Sequence, residues 1–211
     1  MFVRSVFSHL AVSDDPENDQ FTLLQFEKFL SWCEIFTKVF DYHILKHVLN
    51  SSGIERFPEM ELDMVRLGIG LYGVSPNFQK ELSNVATLKT TISQIRNVAQ
   101  GETIGYGRKG IADKEMQIAI LPIGYADGLN RRLSNGTGEV LINGNRSPII
   151  GTICMDMCMV DVTGIDAHEG DQAIIFGEDL PVGEIAAALG TISYEVLTSV
   201  GQRVKRVYFK E

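Results

Sequence analysis

The stretch "GEVLINGNRSPIIGTICMDMCMVDV", residues 138–162, decides how the second half of the chain folds. Two apolar runs flank Asn143-Gly144, a pair that favours the left-handed backbone of a two-residue hairpin turn, so a β-hairpin is expected here. The rest of the stretch holds Cys154 and Cys158 four residues apart, three methionines and Asp156. Read as a strand, it places Cys154, Asp156 and Cys158 on one side and Met155, Met157 and Met159 on the other. A zinc site would need a second ligand pair, which His168 alone does not supply, and a redox pair would favour Cys-x-x-Cys. The cysteines are therefore expected as core packing, with no metal. Asp156 is the exception, because a carboxylate in an apolar run must be paired, cap something or face a site.

Working outward, the same short Val-, Ile- and Thr-rich runs recur in "LKTTISQIRNV", "MQIAILPIGYA" and "DQAIIFG", separated by glycine-containing turns. This part is expected to be all-β, followed by a short helix over residues 182–189. The first part is different. "MFVRSVFSHLAV" is dense in apolar residues from its first position and is expected to be a buried strand. A polar loop over residues 13–20 precedes an expected helix over 21–40, in which Phe21, Leu24, Phe29, Leu30, Phe36 and Val39 recur at roughly helical spacing beside Trp32 and Cys33. "YHILKHVLNSSG" suggests a short strand and a small-residue loop, and "MVRLGIGLYGV" a glycine-rich buried strand. Alternating strand and helix implies βα units with parallel strands. Pro76-Asn77 marks a turn or linker, and a domain boundary falls near residue 85, giving an α/β piece over 1–85 and a β domain over 86–211. Because a domain seldom opens inside a core strand, further material N-terminal to residue 1 is expected.

Hydrophobic residues make up 45% and charged residues 22% of the 211, so global disorder is not expected. The net charge of -8 argues against nucleic-acid binding, which needs a basic face. Three cysteines give no disulfide framework, no signal peptide is evident and no apolar run reaches bilayer length. A cytoplasmic protein without a membrane partner is the expectation.

Several residues have the chemistry of a site. Tyr106 lies between glycines in "ETIGYGRKG", which permit close approach of backbone or ligand, although a packed turn tyrosine would look the same. Tyr125 ends an apolar run in "LPIGYADGLNRRL". "NSSG" and "RLGIG" are small-residue loops of the kind whose backbone N–H groups bind phosphate. Arg66 interrupts an apolar run, and a buried guanidinium demands a partner or ligand. His9, near the end of the first strand, suits a hydrogen-bonding role.

Taken in order, "FSHLAVSDD", "NSSGIERFP", "MVRLGIGLYG", "IGYGRKG", "LPIGYADGLNRRLS", "VLINGNRSPIIGTICMDMCMVDV" and "TISYEVLTSVGQRVKRVY" resemble alanine racemase, and they cover nearly the whole chain. The resemblance implies the last strands and helices of a (β/α)8 barrel that binds pyridoxal 5'-phosphate, followed by a β-barrel-like domain. It implies interconversion of L- and D-alanine by two bases, supplying D-alanine for peptidoglycan. By the resemblance Tyr106 is one base. A phenol ionises well above neutral pH unless helped, so the role requires local electrostatic support. Arg66 matches the arginine that hydrogen-bonds the cofactor's pyridine nitrogen. Ser51, Gly68, Ile69 and Tyr194 match positions that hold its phosphate. Met155 and Asp156 match the pair near the substrate carboxylate, and Tyr125 a tyrosine at the site entrance. The resemblance also implies a homodimer in which Tyr106, Tyr125 and the Met155 region serve the partner subunit's site, and admits fusion to a cell-wall amino-acid ligase.

The departure is large. The family's Schiff-base lysine, in a motif like A-V-x-K-A-N-A-Y-G-x-G, has no counterpart here, nor does its H-x-K-x-D-T-G-M segment. None of this chain's lysines has that context. The chain is expected to be the C-terminal portion of such a racemase, inactive alone, with a non-catalytic dimerisation or binding module as the alternative.

Overall fold

In the β-rich part, short runs of β-branched residues alternate with turns, and seven of the strands they form join one sheet. The structure is a computed structural model that describes residues 2–75 and 81–209. The expected Pro76-Asn77 turn lies outside the described residues. The chain divides into two compact units, Met1–Val85 and Ala86–Glu211.

In the first unit β1 (Ser5–Phe7) pairs in parallel with β2 (Leu45–His47), in the register Ser5↔Leu45 to Phe7↔His47. Helix α1 (Asp19–Val39) connects them, so the unit contains a βαβ element. A turn over Pro16–Asn18 leads into α1, with the Asp15 carboxylate accepting from the Glu17 amide at 3.0 Å. Phe29 and Cys33, one helical turn apart, join Leu10, Val48, Leu49, Phe57 and Met60 in a core.

Four expectations for this unit are corrected. The first strand is short rather than buried throughout: Phe7 is 62% exposed and stacks on His47. In α1, Phe21, Leu24 and Val39 are exposed; Thr22, Phe29 and Cys33 form the buried face. "NSSG" is the start of helix α2 (Ser51–Arg56) rather than a loop, because the Asn50 side chain caps it, accepting from the Gly53 amide at 2.9 Å. The run 64–74 is not a strand. It forms no ladder, and Ile69–Tyr72 turns as a 3-10 helix ending at Gly73, whose φ is 71°.

In the second unit seven antiparallel strands form one sheet: β3 (Leu88–Thr91), β4 (Gln94–Val98), β7 (Met116–Leu121), β8 (Glu139–Ile142), β9 (Asn145–Ile150), β10 (Cys158–Asp161) and β11 (Gln172–Phe176). Their order is β3-β11-β8-β9-β10-β7-β4. Its two ends, β3 and β4, are joined by Ile92 and Ser93 alone. A flat sheet would put those ends roughly 29 Å apart, at about 4.8 Å per strand, far beyond the reach of two linking residues. The sheet therefore curls back on itself, as the β-barrel-like expectation required. The amides of Ile92 and Ser93 complete the circuit, donating to Asp171 O and Ile120 O, each at 2.9 Å.

The concave face is filled by Ala119, Leu121, Val140, Ile142, Ile149, Cys158, Val160 and Ala173, all nearly or fully buried. The register sets Leu121 opposite Cys158, and Ala119 opposite Val160. The hairpin turn at Asn143-Gly144 is confirmed: Ile142 pairs with Asn145, and the two turn residues have φ of 47° and 76°. On the outer face a small ribbon, β5 (Thr103–Ile104) with β6 (Gly110–Ile111), packs Ile104 against Ala112, Met116, Ile118 and Met159. Helices α3 (Val182–Leu189) and α4 (Ser193–Ser199) follow; the first has the bounds expected from sequence.

A two-stranded sheet is marginal by itself, whereas seven strands around a filled interior are not. Limited proteolysis is expected to cut first within residues 1–85 and leave a resistant fragment beginning near residue 86. A resistant N-terminal fragment would contradict this.

Candidate active site

In the first unit Arg66 is half-buried and held by carbonyls and imidazoles. Its Nη2 donates to Ser8 O at 2.8 Å and Val48 O at 3.2 Å, and its Nη1 to His47 O at 3.2 Å. Nη1 also lies 2.7 Å from His47 Nδ1, and Nη2 3.4 Å from His9 Nδ1. A guanidinium only donates, so the 2.7 Å contact makes His47 Nδ1 an acceptor and the imidazole neutral. Burial, and then the neighbouring Arg66 charge, push the His47 pKa down. Burial lowers that of Arg66 as well. Among the described residues no carboxylate pairs with Arg66.

Two residues further on, the Gly68 amide donates to Ser51 Oγ at 2.9 Å and the Gly70 amide to the same oxygen at 3.3 Å. Ser51, at the first position of α2, is thereby tied to the Gly68–Gly70 loop, and Ile69 between them is buried. A guanidinium without a carboxylate, beside a hydroxyl and two loop amides, matches the chemistry of a pyridine nitrogen and a phosphate on one small group. Pyridoxal phosphate fits this donor set.

In the second unit Tyr106 stands on the connection between β5 and β6, 74% exposed, while Ile104 two residues earlier is buried in the outer-face cluster. Gly105 between them has φ of 75°, and a Cβ there would lie 2.8 Å from Met159 Cε and 3.1 Å from Thr152 N. The Tyr106 carbonyl accepts from Thr152 Oγ1 at 3.1 Å. Tyr106, Tyr125, Met155 and Asp156 line one open concavity of about 600 Å³, together with Arg131, Ile153, Cys154 and Met157.

The 150–157 segment is where the strand reading of "TICMDM" fails. Gly151, with φ of 72°, ends β9, and the Cys154 amide donates to Met157 O at 2.9 Å, closing a bend with Met155 and Asp156 at its tip. The ladder resumes only at Cys158. Cys154 and Cys158 therefore do not share a strand face. Burial, then proximity to Cys154, push the Cys158 thiol up to about 12, an inert packing group. Among the described residues the Met155 amide has no hydrogen-bond acceptor, and Met155 lines the concavity.

The neighbouring turn holds this bend in place. The Tyr125 amide donates to Cys154 O at 3.1 Å, and the Ala126 amide to Met155 O at 3.0 Å. Gly124 allows the approach: a Cβ there would lie 2.3 Å from both carbonyl oxygens. Asp127 closes its own turn, accepting from the Gly124 amide at 2.8 Å. Arg203 reaches both turns, donating from Nε to Asp127 Oδ1 at 2.7 Å and from Nη2 to Asp156 Oδ1 at 2.6 Å. Burial alone would raise the Asp127 carboxyl, but the Arg203 and Gly124 hydrogen bonds hold it below the ordinary carboxylate range.

Arg203 was not singled out from sequence, because a basic residue in "GQRVKRVYF" looks like solvated surface. Tyr194 lies on α4, half exposed, and does not line the concavity. Among the described residues no group of His, Cys, Asp or Glu could hold a metal ion, and no helix is long and apolar enough to cross a membrane.

Comparison with known proteins gives two family matches: "Alanine racemase, N-terminal domain" over residues 1–76 and "Alanine racemase, C-terminal domain" over residues 85–208. The chain is 40% identical to the alanine racemase of Clostridium tetani over 219 aligned residues, covering 99% of this chain and 56% of that protein. The alanine racemase of Clostridium difficile in complex with cycloserine is 36% identical with a TM-score of 0.87, over 96% of this chain and 55% of that one. The Bartonella henselae alanine racemase with covalently bound pyridoxal phosphate is 31% identical with a TM-score of 0.84, over 98% and 56%. The chain spans just over half the length of the relatives it matches.

Two outcomes are expected from this geometry. Gly124→Ala pushes the two turns apart and lowers unfolding free energy by about 1–3 kcal/mol, measured by urea denaturation. By NMR titration His47 protonates below its usual 6.5. Because its folded value is depressed, its contribution to stability is present above 6.5 and is lost as the pH falls through the lower folded value.

Proposed function

The chain belongs to the alanine racemase family, and we propose that it provides the cofactor-nitrogen, phosphate and substrate-side residues of a pyridoxal-phosphate-dependent racemase acting on alanine. One observation carries the reading: Tyr106, Tyr125, Met155 and Asp156, far apart in sequence, line a single concavity.

Residues Arg66, Ser51, Gly68 and Ile69 would hold pyridoxal phosphate. When bound, that group acidifies the Cα–H of an attached amino acid by delocalising the charge left behind. Arg66 would donate to the ring nitrogen without giving up its proton. The neutral His47 and the carbonyls around it fix the orientation of the Arg66 guanidinium. The Tyr106 hydroxyl is the base for one face of Cα. Inversion needs a second base on the other face, which in this family is a lysine. The Met155 amide would donate to the substrate carboxylate, while Tyr125 shapes the entrance. The concavity is open in the isolated unit, which suits completion by the partner subunit of a two-fold dimer. The product would be D-alanine for peptidoglycan.

The test is racemisation of L-alanine by the chain alone and by the chain supplied with the lysine-bearing half of a relative. The chain alone is expected to be inactive and the pair active. Tyr106→Phe in the active pair is expected to lower kcat by about 10²–10⁴-fold. Racemisation by the chain alone would overturn the reading.

A further inference from the structure

Arg203 hydrogen-bonds carboxylates in both turns of the substrate side. The two acids it joins differ in setting: the Asp127 side chain is 14% exposed and that of Asp156 58%. An exposed ion pair by itself contributes little. Here one planar guanidinium satisfies two carboxylates from different segments, and Asp127 spends its second oxygen on the Gly124 amide. The arginine's own backbone is anchored as well. The Gly201 amide donates to Asp127 O at 3.1 Å, and Arg206 binds the carbonyls of Val200, Gly201 and Val204. Arg203 does not line the concavity, whereas Asp156 does.

We propose that Arg203 is a positioning residue for substrate binding: it fixes the Met155–Asp156 bend against the Tyr125–Asp127 turn and neutralises the Asp156 carboxylate that faces the concavity. The reasoning is electrostatic as well as geometric. Two carboxylates and one guanidinium carry a net charge of minus one; without Arg203 they carry minus two beside the place where an amino acid's own carboxylate must sit. Arg203 has no contact with Tyr106, so its loss is expected to fall on binding rather than on proton transfer. The substrate part of this inference rests on the functional reading above.

Two measurements test it with Arg203→Gln and Arg203→Lys. In the 211-residue chain, hydrogen exchange at the Tyr125 and Ala126 amides is expected to quicken about tenfold in Arg203→Gln. The β7 ladder amides should stay unchanged, which shows that the variant is folded. Arg203→Lys, which reaches one acid but not both, should fall between. In the chain combined with a lysine-bearing half, Arg203→Gln is expected to raise KM for both alanine enantiomers about tenfold, the worth of one charge-assisted hydrogen bond, with kcat within about threefold. Unchanged exchange at Tyr125 and Ala126, or a fall in kcat at constant KM, would overturn the proposal. Absence of racemisation by the wild-type pair would overturn the functional reading and the substrate part with it, while the exchange result would still decide whether Arg203 ties the turns.

Discussion

Closure of the seven-stranded sheet is the constraint on which the second unit depends. Two residues, Ile92 and Ser93, join strands at opposite ends of the sheet order. That link leaves no flat solution, so the sheet must curl. Curling creates an interior that Ala119, Leu121, Val140, Ile142, Cys158 and Val160 fill, with small and large side chains facing each other across the ladders. It also abolishes most of the free edge that an open sheet would present to other chains.

The chemistry lies outside that closed body, on connections the body holds still. Tyr106 projects from a short ribbon whose buried Ile104 is packed on the outer face, so an exposed phenol has a fixed base. Tyr125 follows the end of β7, and Met155 and Asp156 occupy the bend between β9 and β10. β7 and β10 are ladder neighbours, which is why their two loops meet and exchange backbone hydrogen bonds. In the first unit the same division holds: the βαβ element supplies the core, and the residues after β2, from Ser51 to Gly70, supply the donors. Tyr106, Tyr125, Met155 and Asp156 thus sit on connections anchored by the strands beside them, the arrangement that gives precision to loop sites.

Most of this was legible in the sequence because it depends on local patterns. Asn143-Gly144 dictated its hairpin, and the apolar runs around it dictated strands. The pattern changes near residue 85, and the chain divides into the compact units Met1–Val85 and Ala86–Glu211. What was not legible depends on single residues acting at a distance. "TICMDM" carries the alternation of a strand, but the left-handed Gly151 breaks the ladder before it. "MVRLGIGLYGV" has the apolar density of a strand, but its amides at Gly68 and Gly70 are directed to Ser51 instead of a neighbouring strand. "NSSG" looked like a loop because the capping role of Asn50 shows only once its side chain is placed. Arg203 gave no signal at all, since its partners lie 47 and 76 residues away. The roles of Tyr106, Arg66 and the phosphate residues came from the resemblance, not from spacing.

We propose that the donors around Arg66 and Ser51 suit a pyridine ring bearing a phosphate. The most direct measurement is a nitrogen-15 NMR titration of the chain with pyridoxal 5'-phosphate. Shifts of the Gly68 and Gly70 amides and of the Arg66 guanidinium are expected, with the β7 ladder unmoved. Constant Gly68, Gly70 and Arg66 signals, with shifts confined to lysine-bearing surface, would contradict it.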